Sequence, residues 1–112
     1  MIWLGLLLVV AGVALVGIGI AALRGALPLQ GIVGIRTKAT MESQQAWDAA
    51  HQAGGGWVIA AGAVFALGGV AVMFAETEDE AAWISLGAAL VGLIPVLIGG
   101  FLGHRAAQEA VR

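Results

Sequence analysis

The stretch that decides the fold is residues 2–23, which read IWLGLLLVVAGVALVGIGIAAL and contain no ionisable side chain. Residues 57–75 and residues 81–103 have the same character. About 20 apolar residues in an α-helix span the hydrocarbon core of a bilayer, which is ~30 Å thick. Each crossing has to be helical because lipid offers the backbone no hydrogen bonds. The sequence therefore predicts three transmembrane helices with these bounds.

The composition is that of a chain solvated by lipid. Of the 112 residues, 61% are apolar and 11% are charged, whereas soluble domains carry about 25% charged residues. The net charge of −2 provides no basic surface for nucleic acid, and the lack of cysteine excludes disulfides and thiolate chemistry. We predict an all-α integral membrane protein, a single membrane domain over residues 1–112, with the lipid bilayer as a partner and no nucleic acid.

The basic residues predict how the chain is oriented. The five lysine and arginine residues are Arg24, Arg36 and Lys38 in the loop 24–56, and Arg105 and Arg112 in the tail 104–112. The loop 76–80 reads ETEDE, and all of its charged residues are acidic. Basic segments stay on the cytoplasmic side of a membrane. We therefore expect the loop 24–56 and the C-terminal tail to be cytoplasmic, and the N-terminus and the acidic loop to be outside.

Small residues spaced four apart predict the faces on which the helices pack. Such pairs include Gly17 and Ala21 in the first helix, Gly62 and Ala66 in the second, and Ala88 with Gly92 and Gly99 with Gly103 in the third. Small side chains let backbones approach closely, and such packing joins helices in lipid. We expect contacts within the chain or between the copies of a homo-oligomer. Pro95 is expected to kink the third helix.

The first loop is the only polar segment with a complex sequence, and from Pro28 it reads PLQGIVGIRTKATMESQQAWDAAHQAGGG. Ser43 is a favourable N-cap, residues 44–53 favour a helix, and the glycines at 54–56 are expected to end it. We predict a short amphipathic helix over residues 44–53. It would lie at the cytoplasmic interface with Trp47 as its anchor.

This loop resembles the signature of the SdpI-like membrane proteins, a family of bacterial toxin-immunity proteins. The matching residues are Pro28, Gly34, Ile35, Arg36, Thr37, Thr40, Trp47, His51 and Gly54. Two positions depart from the pattern: Gln30 stands where the family has asparagine, and Lys38 where many members have proline. The resemblance implies a three-helix domain in the bacterial cytoplasmic membrane. It also implies a non-enzymatic protein that protects against a membrane-active toxin peptide, met at the outer face, and signals to a cytoplasmic regulator.

Arg36 is the most informative charge of the loop. Its guanidinium is a rigid fork of donors that suits phosphate or carboxylate. One interpretation is that it binds a lipid headgroup, a peptide carboxylate or an acid of a partner. The other is structural, with an internal ion pair to Glu42 or Asp48 and contacts to backbone carbonyls.

His51 and the hydroxyl residues also have two interpretations. His51 fits a proton-responsive switch, a zinc ligand together with His104 and Asp48, or a hydrogen bond that fixes the loop. The hydroxyls of Thr37 and Thr40 have no evident base to activate them and are ordinary at turns. We expect no cofactor, no metal and no catalytic residue.

Three other functions compete with the immunity role. The small-residue faces suit an accessory subunit of a larger membrane complex. An oligomeric transporter of a small solute or ion is a further alternative, although the three spans lack the ionisable residues that mark such pathways. A membrane enzyme acting at the interface through Arg36 and His51 has the least support, because no acid–base pair stands at a suitable spacing.

Overall fold

A computed structural model describes residues 2–111 and shows three α-helices. They are α1 (Ile2–Leu23), α2 (Gln44–Met73) and α3 (Glu78–Ala110). Each is long and apolar enough to cross a membrane. The predicted all-α membrane fold with three spans is therefore confirmed. The helix α1 has the bounds that the sequence predicted, and it ends where Gly25 takes a positive φ of 68°, a common way to terminate a helix.

The separate interfacial helix over residues 44–53 is not confirmed, because these residues are the first turns of α2. The predicted N-cap is correct, since the Ser43 side chain accepts a hydrogen bond from the Ala46 backbone N–H at 3.0 Å. The glycines at 54–56 do not end the helix. An added Cβ at Gly54 would lie 2.8 Å from the Gly99 carbonyl, and one at Gly55 2.9 Å from Leu23. Close packing against α3 and α1 thus overrides the low helix propensity of glycine.

The helix α3 extends beyond the predicted span at both ends. It begins at Glu78 with Thr77 as N-cap, so three acids of the predicted loop 76–80 form its first turn. Their negative charge is favourable at the positive end of the helix dipole. At the other end the helix runs through most of the predicted tail to Ala110 and remains continuous across Pro95. Residues 104–110 are mostly strong helix formers, and Ala107 is fully buried.

The helix α2 lies between α1 and α3, whose backbones do not come close to each other within residues 2–111. Glycines seven residues apart pack α1 against α2, as the pairs Gly5 with Gly69, Gly12 with Gly62, and Gly19 with Gly55. An added Cβ at Gly12 would lie 2.5 Å from the Gly62 carbonyl oxygen. The predicted face at Gly17 does not pack within the chain, because nothing lies within 4 Å of an added Cβ there. Its packing against a second copy stays a prediction. Gly62 does pack against α1, as one of three α2 glycines that are seven residues apart.

The four small residues named in the third helix lie against α2. Gly99 faces Gly54 and Trp57, and Gly103 faces the Ala50 carbonyl. The other two meet the opposite half of α2, Gly92 at the Phe65 ring and Ala88 at Gly68. These contacts are all within one chain.

The tryptophans mark two levels along the bundle. Trp3 and Trp83 lie at one end, because the antiparallel pairings of α2 make α1 and α3 parallel. Trp57 packs beside Gly99, which follows Trp83 by 16 residues and therefore by about 24 Å. Aromatic belts at the two interfaces of a ~30 Å hydrocarbon layer have a similar spacing. The parts of the chain that lie beyond the level of Trp57, on the side away from Trp3 and Trp83, then extend out of the hydrocarbon layer.

These parts form what we call the head: loop 24–43, the start of α2 (residues 44–54) and the end of α3 (residues 103–110). Its small apolar core is a cluster of alanines, namely Ala39, Ala46, Ala50 and Ala107. The largest fully buried side chain that the structure describes is also in the head, at Trp47. The loop is therefore folded onto the helices.

Candidate functional site

Ile35 anchors the loop in a notch between α2 and α3. An added Cβ would lie 2.5 Å from Ile35 Cδ1 at Gly54 and 2.8 Å from it at Gly103. The notch exists because both helices carry glycine where the side chain enters. Ile35 belongs to the family pattern, but the sequence alone does not mark it as a site residue. The available signal was an apolar side chain flanked by glycine and arginine within a polar segment.

His51 holds the backbone of the same residue. The Ile35 N–H donates to Nε2 of His51 at 2.9 Å, and Nδ1 lies 2.7 Å from the Trp47 carbonyl oxygen. An acceptor at Nε2 requires the neutral tautomer with its proton on Nδ1, which then donates to Trp47. Both ring nitrogens are thus occupied, and the side chain is 3% exposed. In this arrangement His51 fixes the loop.

Trp47 connects the loop to α2 at a second point. Its indole Nε1 donates to the Leu27 carbonyl at 2.9 Å, and its ring lies on the His51 ring with centroids 4.2 Å apart. The side chain is fully buried. The prediction that Trp47 anchors a helix in the membrane interface is therefore wrong. A covering loop has removed this indole from lipid and supplies the hydrogen-bond acceptor that a buried N–H needs.

Gly34 is required by both conformation and space. Its φ of +114° lies in a region that side chains disfavour. An added Cβ would lie 2.5 Å from Nε2 of His51 and 3.1 Å from the Trp47 ring. The glycine thus lets the loop backbone approach the rings of His51 and Trp47.

The two threonines fix the turn that follows. The Thr40 side chain is fully buried, and its Oγ1 accepts from the Thr37 N–H and lies 2.8 Å from the Ile35 carbonyl oxygen. The Thr37 hydroxyl oxygen lies 2.8 Å from Nδ1 of His104 on α3. These contacts connect the turn to itself and to the third helix. The contact of His104 is therefore with Thr37, a pairing that the sequence did not predict.

Gln30 organises the start of the loop beside Pro28. Its amide oxygen accepts from the N–H groups of Ile32 and Val33, at 2.6 and 2.8 Å. Its amide nitrogen donates to the carbonyls of Val33 and Pro28, at 2.5 and 3.3 Å. The glutamine therefore serves as a template for the turn, although the family pattern has asparagine here.

Arg36 differs from the other motif residues because its guanidinium is exposed. It donates to the Gly31 carbonyl, so the expected carbonyl contact is correct. The expected ion pair with Glu42 or Asp48 is wrong, since the ion pair found in residues 2–111 joins Arg105 and Glu109. Asp48 instead accepts from Gln44. A planar cation fixed at one nitrogen remains available to an anionic group.

The structure does not support the zinc alternative in the part of the chain that it describes. His51 and His104 bind different loop residues, and no group of three His, Asp or Glu side chains converges within residues 2–111. The loop is therefore held by hydrogen bonds and by the Ile35 contact. Together these produce a fixed platform with Arg36 on its surface.

A comparison with known protein families covers this loop, α2 and most of α3. The model of the SdpI/YfhL protein family matches residues 26–100, two thirds of the chain. The chain belongs to the SdpI/YfhL family. The match includes every motif residue of the loop, so the SdpI-like resemblance is confirmed. Neither the curated proteins nor the solved structures give a match to this SdpI/YfhL-family chain.

Proposed function

We propose that this SdpI/YfhL-family membrane protein protects a bacterial cell against a membrane-active toxin peptide, and that it acts by binding. The observation that carries the proposal is the family match over the whole motif loop, where Arg36 is exposed on an otherwise fixed platform. A fixed surface loses little conformational entropy when a partner binds. The head is therefore suited to recognition.

The use of the polar groups favours binding over catalysis. Gln30, Thr40 and His51 satisfy backbone groups of their own loop. The closest arrangement to a nucleophile and base is Thr37 with Nδ1 of His104. No carboxylate among residues 2–111 accepts a hydrogen bond from this histidine. A dyad without an orienting third group is a weak basis for catalysis.

The two ends of the bundle have different roles in this proposal. The loop 24–43 carries Arg24, Arg36 and Lys38, so the head faces the cytoplasm by the positive-inside rule. A regulator with an acidic or phosphate-bearing surface docks on the head there. The opposite end carries the acidic start of α3, which attracts a cationic peptide from outside.

Survival of bacteria challenged with the toxin peptide tests the proposal. Cells that express the chain are expected to survive, and Arg36→Ala is expected to abolish protection. Lys38→Ala is the matched control, because it removes a charge of the same sign from the same loop without removing the Gly31 contact. Immunoblots of the membrane fraction verify that both variants insert. Equal survival with and without the wild-type chain would refute the immunity role.

A second candidate is an accessory subunit of a larger membrane complex. The outer faces of α1 and α3 are apolar and exposed in this chain; they meet lipid in a lone chain and another subunit in a complex. Purification of the tagged native protein in mild detergent separates the two candidates. A stable heteromeric assembly supports the accessory role. A lone chain or a homo-oligomer that still protects cells contradicts it.

A further inference from the structure

An apolar cavity of about 240 Å³ lies between the three helices, just below the loop. It is partly open, and its lining includes residues of α1 and α3, whose backbones do not come close to each other within residues 2–111. Its lining residues are Leu15, Ile18, Ala22, Gly34, Ile35, His51, Val58, Val96 and Gly100. Trp57 is the neighbour of Val58, so the cavity lies at the level where lipid headgroups meet their chains.

The chemistry of the lining excludes a polar solute. His51 contributes the only polar side chain of the lining, and both of its nitrogens already have partners in the loop and in α2. The cavity is larger than the ~150 Å³ apolar cavity that takes up benzene. A space of this kind suits a hydrocarbon segment, and a bilayer supplies acyl chains at its open side.

Two residues that stand close in sequence to the lining carry a positive charge. Arg24 follows the lining residue Ala22 by two positions, and Arg36 follows the lining residue Ile35 directly. Both side chains are exposed, and neither forms an ion pair within residues 2–111. Guanidinium groups match phosphate oxygens in geometry and in charge. A phosphate group beside an acyl chain is the head of a phospholipid.

We propose that this cavity is a binding site for an anionic phospholipid, with one acyl chain between α1 and α3 and the phosphate at Arg24 and Arg36. This inference does not rest on the immunity role. The lipid lies against the underside of Ile35 and Gly34. It therefore supports the platform from the membrane side, where the protein leaves a gap.

Native mass spectrometry of the purified full chain tests the site directly. The probes are phosphatidylglycerol and phosphatidylcholine with identical acyl chains, each added to the protein in mild detergent. Phosphatidylglycerol is expected to be retained more strongly. Arg36→Gln and Arg24→Gln are each expected to weaken its retention about fivefold, the effect of one basic residue at an anionic surface. Arg105→Gln is the control, because Arg105 pairs with Glu109.

The cavity itself is tested by filling it. Gly100 lines the cavity and has nothing within 4 Å of an added Cβ, so Gly100→Leu adds a side chain at the cavity wall, and its Cβ meets no other atom. Gly87 on the same helix also has free space but does not line the cavity, so Gly87→Leu is the matched control. Gly100→Leu alone is expected to lower phosphatidylglycerol retention to the level of phosphatidylcholine.

Three results would overturn the proposal. The first is equal retention of the two lipids by the wild-type chain. The second is equal phosphatidylglycerol retention by Gly100→Leu and Gly87→Leu. The third is occupation of the cavity by a second copy, which Leu15→Cys would reveal as a disulfide-linked dimer, since the natural chain has no cysteine. Toxin survival enters none of these outcomes, so failure of the lipid site and failure of the immunity role are distinguishable.

Discussion

Replacing Gly34 by alanine is expected to release the loop from the helices. A non-glycine residue at the φ of +114° found here costs about 1–3 kcal/mol. The new Cβ would lie 2.5 Å from Nε2 of His51, so it displaces the ring that accepts the Ile35 N–H. Loss of that hydrogen bond costs about 1–3 kcal/mol more. The lower ends of both ranges sum to about 2 kcal/mol, which raises the open population of the loop about 30-fold.

Limited proteolysis with trypsin measures this opening. Arg36 and Lys38 are cleavage points inside the loop, and when opening is fast the cleavage rate follows the open population. Gly34→Ala is therefore expected to be cut at these residues about 30 times faster than the wild type. Gly31→Ala is the matched control, because its Cβ meets nothing within 4 Å and its backbone has no positive φ. Equal cleavage of the two variants would show that His51 and Gly34 do not hold the loop.

Three further predictions concern the helix contacts and the cap. Gly12→Ala forces α1 away from α2 and is expected to lower the free energy of unfolding by about 1–3 kcal/mol, so the thermal midpoint of this variant in detergent falls. Gly17→Ala is the control, because its Cβ meets open space and its midpoint is expected to stay unchanged. Trp47→Phe keeps an aromatic ring but removes the donor to the Leu27 carbonyl. We expect the closed loop to lose about 1 kcal/mol of stability, which is measured as faster tryptic cleavage of the loop. An unchanged cleavage rate would contradict the role of this hydrogen bond in holding the loop. Ser43→Ala removes the α2 cap and is expected to cost about 1 kcal/mol, measurable as an increase in amide exchange confined to the first turn of α2.

The extents of the helices show where local reasoning succeeds. Absence of charge over residues 2–23 was sufficient to predict α1 with its correct bounds, because in lipid the backbone has to satisfy its own hydrogen bonds. The same reasoning underestimated α2 and α3, which continue into the head. Water can hydrate a backbone there, so hydropathy no longer determines whether the helix continues. Propensity, capping and tertiary contacts decide it.

The packing of the glycines was harder to predict. A spacing of four was expected in α1, whereas α1 meets α2 through a spacing of seven, at Gly5, Gly12 and Gly19. Both spacings place small residues on one side of a helix, and a sequence rich in glycine offers several such sides. Only the partner helix selects among them. The same reason explains why the glycines at 54–56 are helical.

The motif loop was recognised from its residues, but their roles were not. The pattern from Pro28 to His51 was sufficient for the family, since it depends on residue identity and order. The partners of these residues depend on distances between segments that are remote in sequence, such as Ile35 with His51 and Thr37 with His104.

The sequence by itself determined the solvent, the number of crossings and the family. These follow from the apolar content of continuous segments and from one local motif. The tertiary structure decided that Trp47 is buried, that Ile35 enters a glycine notch, and that Arg36 is the motif cation left on the surface. It also placed an apolar cavity beneath the loop. The physical reason is that burial and cavities are properties of several segments together, which no single stretch of sequence specifies.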